Sequence, residues 1–355
     1  MSDTAPVRPG EHLDWPRIES WLRARLPACD IAGLDLSRPM AIRQFPGGHS
    51  NLTYLVAFGS TELVVRRPPI GPVAPTAHDM AREFRWLRAV HPVFPLAPRA
   101  YILCEDTDVA GCVFYVMERR RGTVVRHEEP AGLADHPERR GRLSDAMLTT
   151  LARLHVIDVS TPPLSTLGKP QGFVERQVRG WSERWQRSRT TELADMDRLA
   201  TWLGANLPPN PEHPSIVHGD FKLDNLILDT TDLTRIVGVM DWEMSALGDP
   251  LVDVGILLAY WVPTSPAGHH DSLSPVTDRP GWYRREEIVA RYAELSGRDV
   301  SGIRFYEVFA LFKIAVVIQQ IYQRFVVGQT TDRRFARFGE RVAFLAGGAV
   351  SRLES

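Results

Sequence analysis

Residues 216–229 read IVHGDFKLDNLILD and residues 235–255 read RIVGVMDWEMSALGDPLVDVG, and the reading of these two segments decides the fold. Stretches 225–228 and 235–240 are short and rich in apolar and β-branched residues, with the polar turn 229–234 between them. That pattern predicts a hairpin. With the turn centred on Leu233, antiparallel pairing sets Asn225 opposite Asp241. An amide and a carboxylate held side by side suit Mg2+, which takes one or two carboxylates and completes its shell with phosphate oxygens and water. Asp220, on the preceding loop, is placed to orient a hydroxyl and accept its proton. Lys222 adds a positive charge where a phosphoryl group would transfer. Asp and Asn also cap turns, and any one of these residues alone says little. Turn capping is a poor account of His218, Asp220, Lys222, Asn225 and Asp241 as a set with strands correctly placed between them.

Working outward, apolar residues at Ile18, Trp21, Leu22 and Leu26 have helical spacing. Strand-like runs follow at 40–45, 52–58 and 62–65, separated by Pro46-Gly47-Gly48 and Gly59-Ser60. The Pro-rich stretch 68–75 ends this meander. Residues 77–90 read as a helix with Met80, Phe84 and Leu87 on one face, and strands at 100–104 and 112–118 complete a five-stranded antiparallel sheet. From Gly122 the strand signals give way to long amphipathic stretches, such as Leu143, Met147, Leu151, Leu154 and His155, and 295–325. The expected fold class is therefore α+β. Residues 1–121 form a first lobe, a helical extension followed by the sheet with one helix, and 122–355 form a mainly helical second lobe. Residues 263–282, rich in Pro, Gly, Ser and His, are expected as a mobile loop.

Composition narrows the partners. Lys plus Arg is 42 against 43 Asp plus Glu in 355 residues, so no global field draws in nucleic acid or an anionic membrane. The greasiest stretch, FALFKIAVVI, is interrupted by Lys313, and no apolar run marks a leader, so neither a membrane nor a secretory role is expected. Cys29, Cys104 and Cys112 have no metal-type spacing and fit a reducing, cytoplasmic setting.

The run H-G-D-F-K-L-D-N, then M-D-W-E and G-D-P-L-V-D, resembles the aminoglycoside phosphotransferase and choline kinase family, and its HxDxKxxN loop resembles that of protein kinases. The resemblance implies a bilobal protein-kinase-like fold and an ATP-dependent transfer of phosphate to an alcohol group, with GTP as the other candidate donor. It makes Asp220 the catalytic carboxylate, Asn225 and Asp241 the Mg2+ ligands and His218 a brace for the loop. Asp249 and Asp253 fall where supporting carboxylates are expected.

The same resemblance puts a phosphate-covering loop at Phe45-Pro46-Gly47-Gly48-His49-Ser50-Asn51, with Gly47, Gly48, Ser50 and Asn51 as its binding residues. Where the family expects a strand lysine, this chain has Arg66, with Glu83 as its expected partner on the polar side of the following helix and Arg67 as the rival. The strand ending Met117-Glu118 resembles the hinge, near 117–121, where the backbone of Glu118 and Arg120 would meet a purine edge. V-V-R-R-P-P with G-G-H-S-N-L-T-Y resembles the branch associated with acyl-CoA dehydrogenases, implying a hydroxyacyl-CoA or another hydroxylated acid as acceptor. From Gly281 onward 12 basic residues face 8 acidic ones, which disfavours a polycationic acceptor. Trp181 and Trp185, at i and i+4, could wall the acceptor pocket or pack in the core. The competing class is a nucleotide-binding pseudokinase or scaffold, suggested by the arginine at 66.

Overall fold

The computed structural model describes residues 3–46, 51–70, 79–126, 128–261, 276–330 and 332–354. The chain divides into two compact units, one of Met1–Arg121 with Val237–Glu243 and one of Gly122–Ile236 with Met244–Ser355.

In the first unit, α1 (Trp15–Arg25) starts where Asp14 accepts the Arg17 N–H at 3.2 Å, an N-cap that satisfies one of the free donors of the first turn. Strands β1 (Met40–Gln44), β2 (Leu52–Phe58) and β3 (Thr61–Arg67) follow, with β2 and β3 joined through Gly59 at φ 60°. Helix α2 (Met80–Val90) begins after Asp79, whose carboxylate accepts the Arg82 N–H at 2.8 Å. Strand β4 (Ala100–Cys104), the single turn α3 (Thr107–Ala110) and β5 (Phe114–Glu118) complete an antiparallel sheet of order β1-β2-β3-β5-β4. Alternation sorts its two faces. Tyr54, Val56, Phe58, Leu63, Val65, Phe114 and Val116 pack with Ile18, Leu22 and Leu26 of the N-terminal helical segment. The opposite face carries Tyr115, whose ring lies 6.1 Å from that of Phe84 on α2. Arg66, two residues from Val64 on the same face, is thereby aimed towards α2.

The second unit contains α4 (Ala131–Ala134), α5 (Pro137–His155), α6 (Phe173–Ser188), α7 (Ala194–Ala205), β6 (Ser215–Val217), β7 (Leu226–Leu228), β8 (Ile236–Val239), β9 (Ala246–Gly248), α8 (Leu251–Trp261), α9 (Arg285–Ser296), α10 (Ile303–Val326) and α11 (Phe338–Glu354), with the chain crossing to the first unit within β8. β6 pairs antiparallel with β9, Ser215 opposite Gly248. α10 packs against α6, α7, α8 and α11. Among the described residues it is the one helix long and apolar enough to cross a membrane, but 72% of its apolar window is buried within the protein, as a core helix requires. The apolar run that Lys313 interrupts is thus the middle of a 24-residue helix. Most of the Pro/Gly/Ser/His-rich stretch lies outside the described residues.

Candidate active site

The loop leaving β6 is built around Gly219. This residue adopts φ +83°, and a Cβ on it would stand 2.6 Å from the Met244 carbonyl oxygen, so the turn admits only glycine without rearrangement. Its N–H donates to Asp253 Oδ1 at 2.7 Å, and the His218 N–H donates to Asp253 Oδ2 at 2.6 Å. Asp253 is fully buried in the first turn of α8, and His155 Nε2 reaches its Oδ2 at 3.1 Å. Burial opposes the Asp253 charge, but the His155 contact, the His218 ring and the Gly219 N–H outweigh it and hold its carboxyl below the ordinary range. Asp249 accepts the Leu251 N–H at 2.9 Å and the Tyr306 hydroxyl, which anchors the start of the same helix. Gly219→Ala is expected to destabilise the protein by about 1–3 kcal/mol through strain at a left-handed position. Denaturant unfolding would read this, and a wild-type midpoint would show that the loop has room to relax.

Asp220 follows directly. Its carboxylate Oδ2 accepts from Asn225 Nδ2 at 2.9 Å and contacts Lys222 Nζ at 2.9 Å, and its backbone carbonyl accepts from the same Asn225 amide at 2.8 Å. The Asp220 N–H points to His218 Nδ1 at 3.3 Å. Lys222 also lies over the Tyr260 ring, 4.6 Å from its centre. Burial works against the Lys222 charge, but Asp220 and then Tyr260 dominate and hold the ammonium well above its usual range. Because the Asn225 Nδ2 faces Asp220, its oxygen Oδ1 is the end turned away from that contact, which suits a hard cation. Among the described residues no cluster of three or more His, Cys, Asp or Glu could hold a metal. A donor set of one amide and one carboxylate, completed by phosphate oxygens, is the kind Mg2+ accepts.

The expected hairpin register needs correction. Asn225 lies in a 3₁₀ turn, Leu223–Asn225, ahead of β7, and Asp241 lies after the end of β8. The Asp229 N–H donates to the Arg235 carbonyl at 2.9 Å, two residues from the register read from the sequence. Side-chain turns account for the shift. Asp229 Oδ1 accepts the Thr231 N–H at 2.7 Å and Asp232 Oδ1 accepts the Thr234 N–H at 3.0 Å, so two consecutive Asx turns tighten the connection.

In the first unit Arg66 is the hub. Its Nη2 lies 2.6 Å from Asp241 Oδ1 and 3.6 Å from Glu243 Oε2, and its Nε lies 3.1 Å from Glu83 Oε2 as an ion pair outside hydrogen-bond alignment. Burial would strip its charge, but Glu83 and then Asp241 hold the guanidinium well above its ordinary range. Burial also pushes the Glu83 carboxyl up against the pull of Arg66. Glu83, read from sequence as facing the polar side of its helix, is only 2% exposed, because its spacing from Met80 and Leu87 sets it on the buried side of α2, against Arg66. Arg67 instead donates from Nε to the Pro68 carbonyl at 3.0 Å. Asp241 itself has φ 69°, the one non-glycine residue at positive φ among those described, and such strain collects at functional sites.

Asn51 donates from Nδ2 to Glu243 Oε2 at 2.7 Å. Gly47, Gly48 and Ser50 lie outside the described residues. At the expected hinge, Met117 pairs with Val64 and Ala100 inside the sheet. The Glu118 N–H is already donated to the Arg99 carbonyl at 2.8 Å, and Arg120 Nη2 reaches Glu118 Oε2 at 2.9 Å and the Pro95 carbonyl at 2.6 Å. The Glu118 N–H is therefore not available to a purine, since pairing with β5 runs on past β4 to Arg99.

The model of the Phosphotransferase enzyme family matches residues 41–288. The chain belongs to this family. Among curated proteins, this phosphotransferase-family chain is 32% identical over 348 residues to acyl-CoA dehydrogenase family member 10 of Mus musculus, covering 98% of this chain and 32% of that protein. It is 33% identical over 336 residues to acyl-CoA dehydrogenase family member 11 of Mus musculus, covering 93% and 42%. The chain thus spans well under half the length of these relatives. Among solved structures, one from Ralstonia eutropha JMP134 assigned as an aminoglycoside phosphotransferase is 28% identical with a TM-score of 0.79, covering 97% of this chain and 99% of that one. A choline kinase from Cryptosporidium parvum Iowa II, at 11% identity and TM-score 0.66 over 96% of each chain, shares the kinase-like fold.

The sequence reading of this family member passed over Lys313 of α10 as a mere break in an apolar run. Its Nζ donates to the Gly219 carbonyl at 2.6 Å. His155, which braces Asp253, was read only as part of an apolar helix stripe. Trp181 and Trp185 are buried core residues of α6, and Trp185 Nε1 donates to Asp197 at 2.9 Å.

Proposed function

We propose that this chain moves the γ-phosphoryl group of ATP, or of GTP, to a hydroxyl of a small metabolite, with Asp220 as the catalytic carboxylate. The observation that carries the reading is the way Asp220 is presented: a glycine in a left-handed turn that a Cβ would not fit precedes it, buried carboxylate and backbone contacts fix its loop, and Asn225 and Lys222 engage one of its oxygens. Such a carboxylate can accept a hydrogen bond from the acceptor hydroxyl and take its proton as the bond to the γ-phosphorus forms and the bond from that phosphorus to the departing nucleoside diphosphate breaks, a role worth roughly 10²–10⁴-fold in rate. Lys222 balances charge beside it. Asn225 and Asp241 would hold Mg2+, which when bound neutralises phosphate charge. Asn51, Arg66 and the Gly47, Gly48 and Ser50 loop would face the nucleotide phosphates, with Glu83 holding Arg66 and Met117, Glu118 and Arg120 flanking the base.

For the acceptor, the names of the curated relatives and the basic excess after Gly281 support a hydroxyacyl-CoA or another hydroxylated acid over a polycation. The test is unbiased: enzyme and Mg-ATP are incubated with a metabolite extract and with a hydroxyacyl-CoA panel, and mass spectrometry follows species gaining a phosphoryl mass. A product dependent on Asp220 is expected, and Mg-dependent nucleotide binding without any turnover would favour the second reading. That reading, a catalytically weak pseudokinase or scaffold, draws on the contact of Arg66 with Asp241, which places a cation on an expected metal ligand. Asp241→Ala is expected to remove the thermal shift that Mg-ATP gives the wild type. An unchanged Mg-ATP shift would take Asp241 out of the metal set.

A further inference from the structure

We infer that Lys313 is a positioning residue for phosphoryl transfer: from α10 its ammonium holds the Gly219 carbonyl and so fixes the peptide plane that aims the Asp220 carboxylate. The inference rests on the assignment of Asp220 as the catalytic carboxylate.

The peptide between Gly219 and Asp220 is gripped at both ends. Its carbonyl accepts from Lys313 Nζ at 2.6 Å, and its N–H, that of Asp220, meets His218 Nδ1 at 3.3 Å. One peptide earlier, the Gly219 N–H is held by Asp253 at 2.7 Å. Without a Cβ, Gly219 has the widest torsional freedom in the loop, so rotation beside it would swing Asp220 directly. Lys313 is the grip that comes from the central helix α10, and the other two come from within the loop and from α8.

A neutral donor would satisfy that carbonyl at less expense. Lys313 is only 8% exposed, and its ammonium lies 5.5 Å from the Trp181 ring centre, with the Arg184 guanidinium on the same ring at 4.6 Å. Burial, working against the attraction of Asp220 and Asp253, brings its pKa down to about 8. A charge kept in such a place weakens the fold, and departures of that kind concentrate where function requires them.

The test compares wild type with Lys313→Met, a straight apolar chain that suits a buried helix, and with Lys313→Gln, a neutral donor. Three readouts are taken on the full chain: denaturant unfolding, amide hydrogen exchange over residues 217–226, and ADP release from Mg-ATP with water as acceptor. Lys313→Met is expected to be at least as stable as wild type, yet to exchange about tenfold faster in 217–226. Its kcat should fall about 10²-fold with the KM for ATP unchanged, as a misaimed catalytic group predicts. Lys313→Gln should recover part of the exchange protection, and it carries the same comparison if the Met variant does not fold. Wild-type exchange in 217–226 for the substituted proteins overturns the inference, as does a loss of stability with kcat preserved. A wild type that releases no ADP with water and none with the metabolite extract or the hydroxyacyl-CoA panel overturns the phosphotransfer reading instead, and exchange over 217–226 then decides whether Lys313 holds the loop.

Discussion

Asp220→Ala is expected to lower phosphoryl transfer by roughly 10²–10⁴-fold while nucleotide still binds and the fold persists. The carboxylate is 23% exposed on its side chain, so truncation opens no large apolar cavity. The scaffold around it also does not depend on it. Gly219 and His218 are held by Asp253, and the Asn225 amide keeps its second contact, to the Asp220 backbone carbonyl at 2.8 Å. What is lost is the acceptor for the substrate hydroxyl proton and the partner of Lys222. Lys222, still beside Tyr260, would be left with less compensation for its burial, so a modest loss of stability is expected as well. Steady-state ADP release with any acceptor found in the extract experiment, together with an Mg-ATP thermal shift, reads the two halves separately. A variant retaining near wild-type turnover would remove Asp220 from the chemistry. A variant that loses nucleotide binding in proportion to turnover would assign it to the donor rather than the acceptor. Asp220→Asn, which preserves shape without basicity, should behave like the alanine variant if proton acceptance is the contribution that matters.

The parts of this site legible in the sequence are those written in contiguous residues. His218, Gly219, Asp220, Lys222 and Asn225 lie within one loop, where spacing alone constrains geometry, and the flanking strands could be recognised by their apolar runs. Lys313 was not legible, because its partner is a backbone carbonyl, which leaves no side-chain pattern to read, and because a lone lysine in an apolar helix looks the same whether it snorkels to water or turns inward. Glu83 was set on the polar side of its helix although it is buried beside Arg66, since helical periodicity sorts carboxylates to solvent unless a buried cation is known to face them. The hairpin register failed for a local reason. Turn centring by residue count ignores the hydrogen-bonding capacity of Asp229 and Asp232, whose side chains decide where the turn closes. The sheet was easier, because β2 and β3 are short apolar runs rich in strand-forming residues and their connecting Gly59-Ser60 has the composition a two-residue turn demands.

Arg66→Ala is expected to destabilise the protein by about 3–5 kcal/mol, the usual penalty for stripping one partner from a buried ion pair. Arg66 is 11% exposed on its side chain and Glu83 3%, so no water is at hand to replace the guanidinium. The substitution would leave Glu83 buried beside Asp241 with no cation between them, although the two carboxylates repel. The sign of the pH dependence follows. Glu83 already has its folded pKa raised, chiefly by burial, and removal of Arg66 takes away the main influence that lowers it. Above the unfolded pKa the native state then binds more protons than the unfolded state, so stability falls as pH rises and recovers as pH falls towards the ordinary carboxylate range. The Arg66→Ala deficit should accordingly be larger near about pH 8 than near about pH 5. Adding Glu83→Gln should return part of the loss at the higher pH, because it removes the uncompensated charge while keeping the shape. Urea unfolding of the single and double variants at both pH values measures the coupling. Equal deficits at the two pH values, or no recovery in the double variant, would mean that Arg66 supports the fold through packing alone. In that case its contact with Asp241 would be incidental, and the charge at position 66 would have to be judged by nucleotide affinity instead.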